Sequence, residues 1–388
     1  MPPTDALETA LPSLQFSTFL AAVFSSELAN TLKTYPNTTL IIPQNPAFER
    51  LGLVTTHLLL PSSKPDLEKV IQHHVVTEVA YLDSLYNGSR TTYPTLEGSD
   101  IHIKRSQNGS VYISPSGGWD GLRGSLGSGN MLTRTGVIHE VSSVLLPRSV
   151  DISIEKLAFA AKGSTMASLA AKAGMEWILN GTAPPAGSEW ANAGLTGSGW
   201  TLLCPTDSSF KGVNMSRLWN DVEAMKRLVS QHLIPAPASH MAQTLAESDD
   251  PNRPIYLDGK ATYSTLLSLN SAYGDVVFRT VDRKNPSLGY LVGIKDARGT
   301  NGQDDWANVL TWGRSTYGGN VGGVVQIDHL LVPYQPPWWV EYGPPAAVTL
   351  GGIVLIASFF GVVAYIWRRE TGEATYEPVG GFDREDDD

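Results

Sequence analysis

The sequence predicts an α+β protein built as two copies of one unit and closed by a single membrane-spanning helix. Three observations carry this. The same short blocks occur in the same order in both halves. Ala346–Trp367 contains no charged residue. Hydrophobic residues make up 42% of the 388 positions and charged residues 17%, which is enough apolar surface for buried cores and argues against a disordered chain. Cys204 is the one cysteine, so packing and not an intrachain disulfide or a multi-cysteine zinc module must hold the fold. The formal net charge of −10 is a poor match for a phosphate backbone, and no nucleic-acid partner is expected.

The chain opens on an apolar stretch, Leu11 to Phe24, interrupted by Pro12, Ser13, Gln15, Ser17 and Thr18. Those interruptions do not suit a signal peptide. Phe16, Phe19, Leu20, Val23 and Phe24 fall on one face of a helix, so the segment reads as amphipathic. A signal missing from this version of the chain and a tail-anchored topology with cytosolic domains are both readings of this beginning.

Next comes TTLIIPQNPAF from Thr38, and its counterpart is WTLLCPTDSSF from Trp200. Each is a short apolar strand, a proline that stops it, a polar turn and a phenylalanine. A helix-like segment precedes each, Thr18–Leu32 and Thr165–Leu179. A second helix follows each and ends in histidine: PDLEKVIQHHVV from Pro65 and DVEAMKRLVSQHLIP from Asp221. GVIHEVSSVLLP from Gly136 closes the first copy, and GVVQIDHLLVP from Gly323 closes the second. Four blocks in one order make a tandem duplication.

These blocks resemble the fasciclin (FAS1) domain family, and the resemblance covers nearly all of residues 6–335 in two copies. The positions that match its motifs are Pro43, Asn45, Phe48, His74, Gly136, His139 and Pro147, then Pro205, Thr206, Asp207, Phe210, His232, Gly323 and Pro333. Gln44 and Asn45 stand where the family prefers Thr-Asp. His73 and Gln231 replace the tyrosine before the histidine, and Gln326 replaces the histidine of the last block. The resemblance implies two β-sandwich/helix wedges at 1–149 and 150–335, used in cell-surface and matrix contacts. The family's integrin-type Asp-Ile segment has no equivalent before Gly136 or Gly323, which leaves an integrin partner unsupported.

The second copy is longer by segments rich in Gly, Pro and polar residues. GTAPPAGSEWANAGLTGSG from Gly181 and KDARGTNGQDDWANVL from Lys295 read as surface loops. GLRGSLGSGN from Gly121 and YGGNVGG from Tyr317 match neither dinucleotide-binding nor P-loop spacing and read as flexible hairpins.

Chemistry-bearing residues are few. His74 and His232 lie on the apolar faces of their helices, as expected of buried histidines bonded to backbone. His73 and His74 project about 100° apart on a helix and so do not chelate one metal. Thr206 and Asp207 suit an Asx-type turn with helix capping. Cys204, inside an apolar strand, reads as a small buried hydrophobe. No G-x-S-x-G elbow, paired-carboxylate signature or H-E-x-x-H is present. No catalytic residue, cofactor or metal is expected.

After a Pro/aromatic juxtamembrane stalk at 336–345, Ala346–Trp367 is long enough to cross a hydrocarbon core of about 30 Å. Arg368 and Arg369 follow it, which places the tail 368–388, with three Arg against eight acids, in the cytosol. Sequons at Asn37, Asn87, Asn108, Asn180 and Asn214 all precede the span and favour extracellular or lumenal domains. The expected function is a membrane-tethered, non-enzymatic adhesion or docking protein that contacts a protein or glycan on an opposing surface or associates with itself. The resemblance to single-span fungal members adds the vacuole membrane to the plasma membrane as a location, with a role in membrane contact or fusion. An uncharacterised hydrolase ranks last.

Overall fold

The computed structural model describes residues 5–371 apart from 117–122, 128–129, 193–194, 196–198, 236–252, 254, 256, 258–261, 270, 272, 283–288, 298–305, 316–321 and 336–337. It divides into two compact units, Met1–Tyr334 and Gln335–Asp388. The segment Tyr317–Gly323 therefore lies largely outside the described residues, as does most of the acidic tail.

The first repeat carries strands β1 (Thr38–Pro43), β2 (Val75–Val76), β3 (Arg90–Pro94), β4 (Asp100–Arg105), β5 (Val111–Pro115), β6 (Gly124–Ser125), β7 (Met131–Leu132) and β8 (Gly136–Val141). They form two four-stranded sheets, ordered β2-β1-β8-β7 and β3-β4-β5-β6. Ile41, Val76 and Val141 of one sheet share a buried cluster with Tyr93, Ile101, Ile103 and Ile113 of the other. The second repeat carries β9 (Trp200–Pro205), β10 (Leu233–Pro235), β11 (Thr262–Tyr263), β12 (Val276–Thr280), β13 (Tyr290–Ile294), β14 (Ala307–Arg314) and β15 (Gly323–Ile327), joined in one sheet ordered β10-β9-β15-β14-β13-β12-β11.

At the centre of each repeat the apolar block pairs in parallel with the closing block, β1 with β8 and β9 with β15. Every residue of β1 and of β9 is buried, which explains why both read as continuous apolar runs instead of alternating ones.

The register corrects the sequence alignment of the closing blocks by one position. Thr38 pairs with Gly136 and Pro43 with Val141, while Thr201 pairs with Gly323 and Pro205 with Ile327. Pro43 and Pro205 are equivalent, so Gly322 is the partner of Gly136, and Val325, not Gln326, takes the place of His139. Two independent contacts agree. A Cβ on Gly136 would stand 1.7 Å from the Thr38 carbonyl oxygen, and one on Gly322 would stand 1.9 Å from that of Trp200. The N–H of Gln44 donates to Val141 O at 3.1 Å, and that of Thr206 to Ile327 O at 3.1 Å.

The helices are α1 (Ala6–Ala10), α2 (Ser17–Ser25), α3 (Leu28–Thr34), α4 (Asn45–Leu51), α5 (Leu53–Leu58), α6 (Lys64–His73), α7 (Ile154–Ala160), α8 (Ser164–Lys172), α9 (Glu176–Leu179), α10 (Glu189–Asn192), α11 (Met215–Asn220), α12 (Val222–Gln231) and α13 (Trp338–Thr371). The single amphipathic helix expected near the start is a short 3₁₀ turn, Leu14–Phe16, followed by α2. Phe16, Phe19, Leu20 and Val23 are buried, but Phe24 is 47% exposed. The first helical segment is broken at the same place in both repeats, before α3 and before α9.

The repeats share one continuous apolar core that runs from Ala6 to Val324. Their junction is close. A Cβ on Gly52 would lie 2.1 Å from Trp312 O, and one on Gly313 would lie 2.7 Å from Leu53 Cβ and 3.0 Å from Leu157 Cδ2. Helix α5 of the first repeat thus packs on α7 and β14 of the second, with Leu53, Val54, Leu58 and Leu157 buried. Lys156 Nζ reaches Asp66 Oδ2 across the junction at 3.2 Å.

The insertions of the second repeat are not wholly surface loops. The one from Gly181 contains α10, whose Trp190 joins the core, and the one from Lys295 runs into β14, where Ala307 is fully buried. In the first repeat Gly124–Ser125 pairs with β5, so this part of the glycine-rich segment is sheet and not a free hairpin.

The second unit contains α13. Helix replaces the expected stalk from Trp338 onward, and the apolar stretch Ala347–Arg369, of mean hydropathy 2.3, is long and apolar enough to cross a membrane.

Candidate functional site

The strand-exit block builds the same cleft twice. In the second repeat Asp207 follows β9 and reaches back 42 positions: Oδ1 accepts the Thr165 N–H at 2.7 Å, and Oδ2 accepts the Ser164 hydroxyl at 2.8 Å. The sequence points to a local Asx turn. The structure shows a long-range cap on the first turn of α8, where backbone N–H groups lack intrahelical partners. Burial works to raise the Asp207 pKa, but the hydrogen bonds from Thr165 and Ser164 outweigh it and hold the carboxyl below its usual range. Asn45 does the same work in the first repeat. Its Oδ1 accepts the Thr18 N–H at 3.0 Å, and its Nδ2 donates to Ser17 Oγ at 3.0 Å and Leu14 O at 2.9 Å. The departure from Thr-Asp at this position therefore keeps the contact and drops only the charge.

Phe48 and Phe210, both buried, floor the two clefts. The first cleft, about 480 Å³, is bordered by Thr18, Asn45, Glu49, Thr56 and Leu59. The second, about 390 Å³, is bordered by Thr165, Asp207, Lys211, Met215 and Trp219. Position for position Glu49 faces one and Lys211 the other, and Lys172 Nζ sits 4.9 Å from the centre of the Trp219 ring. Both clefts open to the surface.

The histidines have a different role. His74 caps the end of α6 with its ring fully buried, Nδ1 2.7 Å from Val70 O and Nε2 accepting the Leu145 N–H at 3.0 Å. His232 repeats this at the end of α12, 2.8 Å from Leu228 O and 3.0 Å from Leu331 N. With Nε2 an acceptor, the proton must sit on Nδ1, so both rings are neutral. Burial pushes their pKa values down to about 3 and about 4. Every polar atom of each ring is bonded to backbone.

His73 turns away from His74. Its Nδ1 lies 3.0 Å from Ser99 Oγ and 3.6 Å from Glu97 Oε2, and burial again lowers its pKa, to about 4. Gln231 replaces it in the second repeat and donates to Gly274 O at 2.8 Å. His139, on β8, holds Ala80 O at 2.7 Å. Cys204 is fully buried, its thiol pushed up to about 12 by burial, and a Cβ on Gly163 would stand 2.1 Å from its sulfur. Pro43 and Pro205 end β1 and β9, and Pro147 is buried just before the junction, with Pro333 half-buried at the matching place. Among the described residues no group of three or more His, Cys, Asp or Glu could hold a metal ion. The five sequon asparagines are all exposed.

The sequence model of the Fasciclin domain matches residues 14–147. Human Periostin is 25% identical over 218 residues, 56% of this chain and 22% of Periostin. Fasciclin-like arabinogalactan protein CTB11 of Cercospora beticola is 28% identical over 38% of this chain and 36% of its own length. Protein sll1483 of Synechocystis is 29% identical over 36% of this chain and 72% of its own. The chain thus spans well under half of the first two. Among solved structures a FAS1 domain pair from the insect cell adhesion molecule Fasciclin I aligns over 82% of this chain and 97% of the pair, at 11% identity and a TM-score of 0.30. Residues 14–147, whose motif blocks Asn45 and His74 hold in place, thus match the Fasciclin domain.

Proposed function

We propose that the chain is a membrane-tethered docking protein whose two FAS1 repeats, 1–149 and 150–335, bind a protein or glycan on an opposing surface without turning it over. A juxtamembrane segment at 336–345, a span at 346–367 and a cytosolic tail at 368–388 complete it, with the repeats on the extracellular or lumenal side. One observation carries this reading: His74 and His232 spend both ring nitrogens on backbone groups. What each repeat offers a ligand is therefore a surface. Several weak contacts made by tethered copies multiply into stable apposition. Full-length protein reconstituted in vesicles tests this. Clustering of protein-bearing vesicles with one another, or with vesicles carrying extracted surface glycoproteins, is expected. Monodisperse vesicles at high protein density would overturn the proposal.

A further inference from the structure

The two repeats end differently. After Pro147 the chain passes into α7 of the second repeat, and after Pro333 it passes towards α13 and its apolar stretch. Beside each exit stand the same two pieces: the closing segment, and the turn between β3 and β4 or its counterpart between β11 and β12. Leu96 N–H donates to Val75 O at 2.8 Å, and Leu266 N–H donates to Leu233 O at 2.8 Å, so the two turns are equivalent. The Thr95 hydroxyl closes the first on Ser99 O, and the Thr265 hydroxyl closes the second, five positions longer, on Gly274 O.

What the pieces carry has changed. In the first repeat charged and polar groups join them: Glu97 accepts from the Ser149 hydroxyl, and Lys69 Nζ donates to Ser149 O at 3.2 Å. In the second repeat residues 261–274 and 330–340 contain no Asp, Glu, Lys or Arg. These segments meet through Tyr273 and Tyr334, edge to face with ring centres 5.2 Å apart. Leu269 and Val332, on the same two segments, are 46% and 37% exposed. Asp275, at the base of the turn, lies 4.0 Å from Lys295 Nζ, and Arg227 stands in the place of Lys69.

We propose that this surface, formed by Leu269, Tyr273, Val332 and Tyr334, rests in the headgroup layer of the membrane that the chain itself spans. The proposal rests on the membrane-tethered reading and goes beyond it, by giving the second repeat a lipid-facing side. Tether length selects the occupant. Four positions of at most about 3.6 Å and nine helical positions of about 1.5 Å separate Tyr334 from Ala347, so Tyr334 stays within about 28 Å of the hydrocarbon edge. The chemistry agrees with it. Tyrosine rings bury an apolar body and keep a hydroxyl in water, aliphatic side chains enter the boundary without desolvating a charge, and a cation such as Arg227 is of the sign that lipid phosphates attract.

The test uses full-length protein, one chain per phosphatidylcholine nanodisc, carrying one fluorophore on an introduced cysteine. Cys204 is fully buried and does not compete for the label. Labels on Leu269→Cys and on Val332→Cys are expected to be quenched by doxyl-labelled lipid. Their quenching by aqueous iodide should be at least threefold weaker than that of a label on Leu59→Cys in the first repeat. Adding Leu269→Glu to Val332→Cys should return iodide quenching to the Leu59→Cys level, and Leu269 is exposed enough to leave folding intact. Equal iodide quenching at the three positions would overturn the proposal. So would protection from iodide without quenching by the lipid, since protein would then be covering the label. Either result in protein that co-floats with vesicles leaves the tethered reading standing, whereas protein that fails to co-float overturns both.

Discussion

The ring of His232 bonds the N–H of Leu331 at 3.0 Å across 99 positions of sequence. It ties the end of α12 to the segment that follows β15, as His74 ties α6 to Leu145 after β8. A buried helix end needs a partner for its last carbonyls, and the buried segment after the strand needs one for its N–H; one neutral imidazole serves both.

Replacing His232 by Ala leaves Leu228 O and Leu331 N–H without that partner in a fully buried place. A loss on the order of 1 to 3 kcal/mol per unsatisfied group follows. Denaturant unfolding should show it, and His74→Ala should behave alike.

The same rings give a pH dependence. Their folded pKa values, about 3 for His74 and about 4 for His232, lie below the ordinary 6.5. The unfolded chain therefore binds protons more readily. Their stabilisation is complete above about pH 6.5 and lost as pH falls from there to about 3–4, by on the order of 3 kcal/mol each. Melting temperatures measured from pH 7.5 to 4 should fall steadily. In the double variant His74→Gln/His232→Gln that fall should shrink.

Gly136 and Gly322 yield a sharper expectation. Since a Cβ at either would penetrate the opposing backbone, Gly136→Ala and Gly322→Ala should each destabilise by about 3 kcal/mol or more. Gly98→Ala has open space around it and is limited to the strain of its positive φ. Ranking the three by thermal melting checks the register directly. A severe effect at Gly323 and none at Gly322 would restore the alignment read from sequence.

That alignment shows where sequence reasoning stops. The apolar blocks, the histidine positions and the long uncharged run were legible because each is a local pattern: a buried strand, a helix face, a span. The register of β15 was not, since GVVQ and GVIH look alike at the start. Counting back from the closing prolines gives it: 147 − 136 and 333 − 322 are both 11. The Asp207 cap was half legible. Its residue type announced a cap, but the helix it serves lies 42 positions earlier, and only the fold brings them together. Trp190 was misread because a Gly/Pro-rich segment signals loop even where one aromatic side chain anchors it in the core.

Asn45 and Asp207 test the caps. Each changed to Ala should cost about 0.5 to 2 kcal/mol. Asn45→Asp should keep the bonds from Thr18 N–H and Ser17, as Asp207 keeps those from Thr165 and Ser164, but it loses the donor to Leu14 O and sets two acceptors against each other there, so it should cost about 1 kcal/mol or more near neutral pH. It should also make the first repeat acid-sensitive. For a carboxylate held below its usual pKa, stability is present above the unfolded value and lost as pH falls through the folded one. A variant whose acid unfolding matches wild type would show that the Asn45 side chain is not the cap.

The final prediction concerns Asn214, which is at once a sequon and the N-cap of α11. Its Oδ1 accepts the Arg217 N–H at 3.1 Å, so a glycan on Nδ2 would leave the cap in place. Protein made from its native gene should lose mass on glycosidase treatment if the repeats are lumenal or extracellular, because all five sequon asparagines are exposed. Asn214→Gln should then lose less mass on treatment by one glycan's worth, since it removes one exposed acceptor. Asn108→Gln, at the hairpin between β4 and β5, should reduce the loss by the same amount. No mass change in any variant would favour the cytosolic, tail-anchored topology.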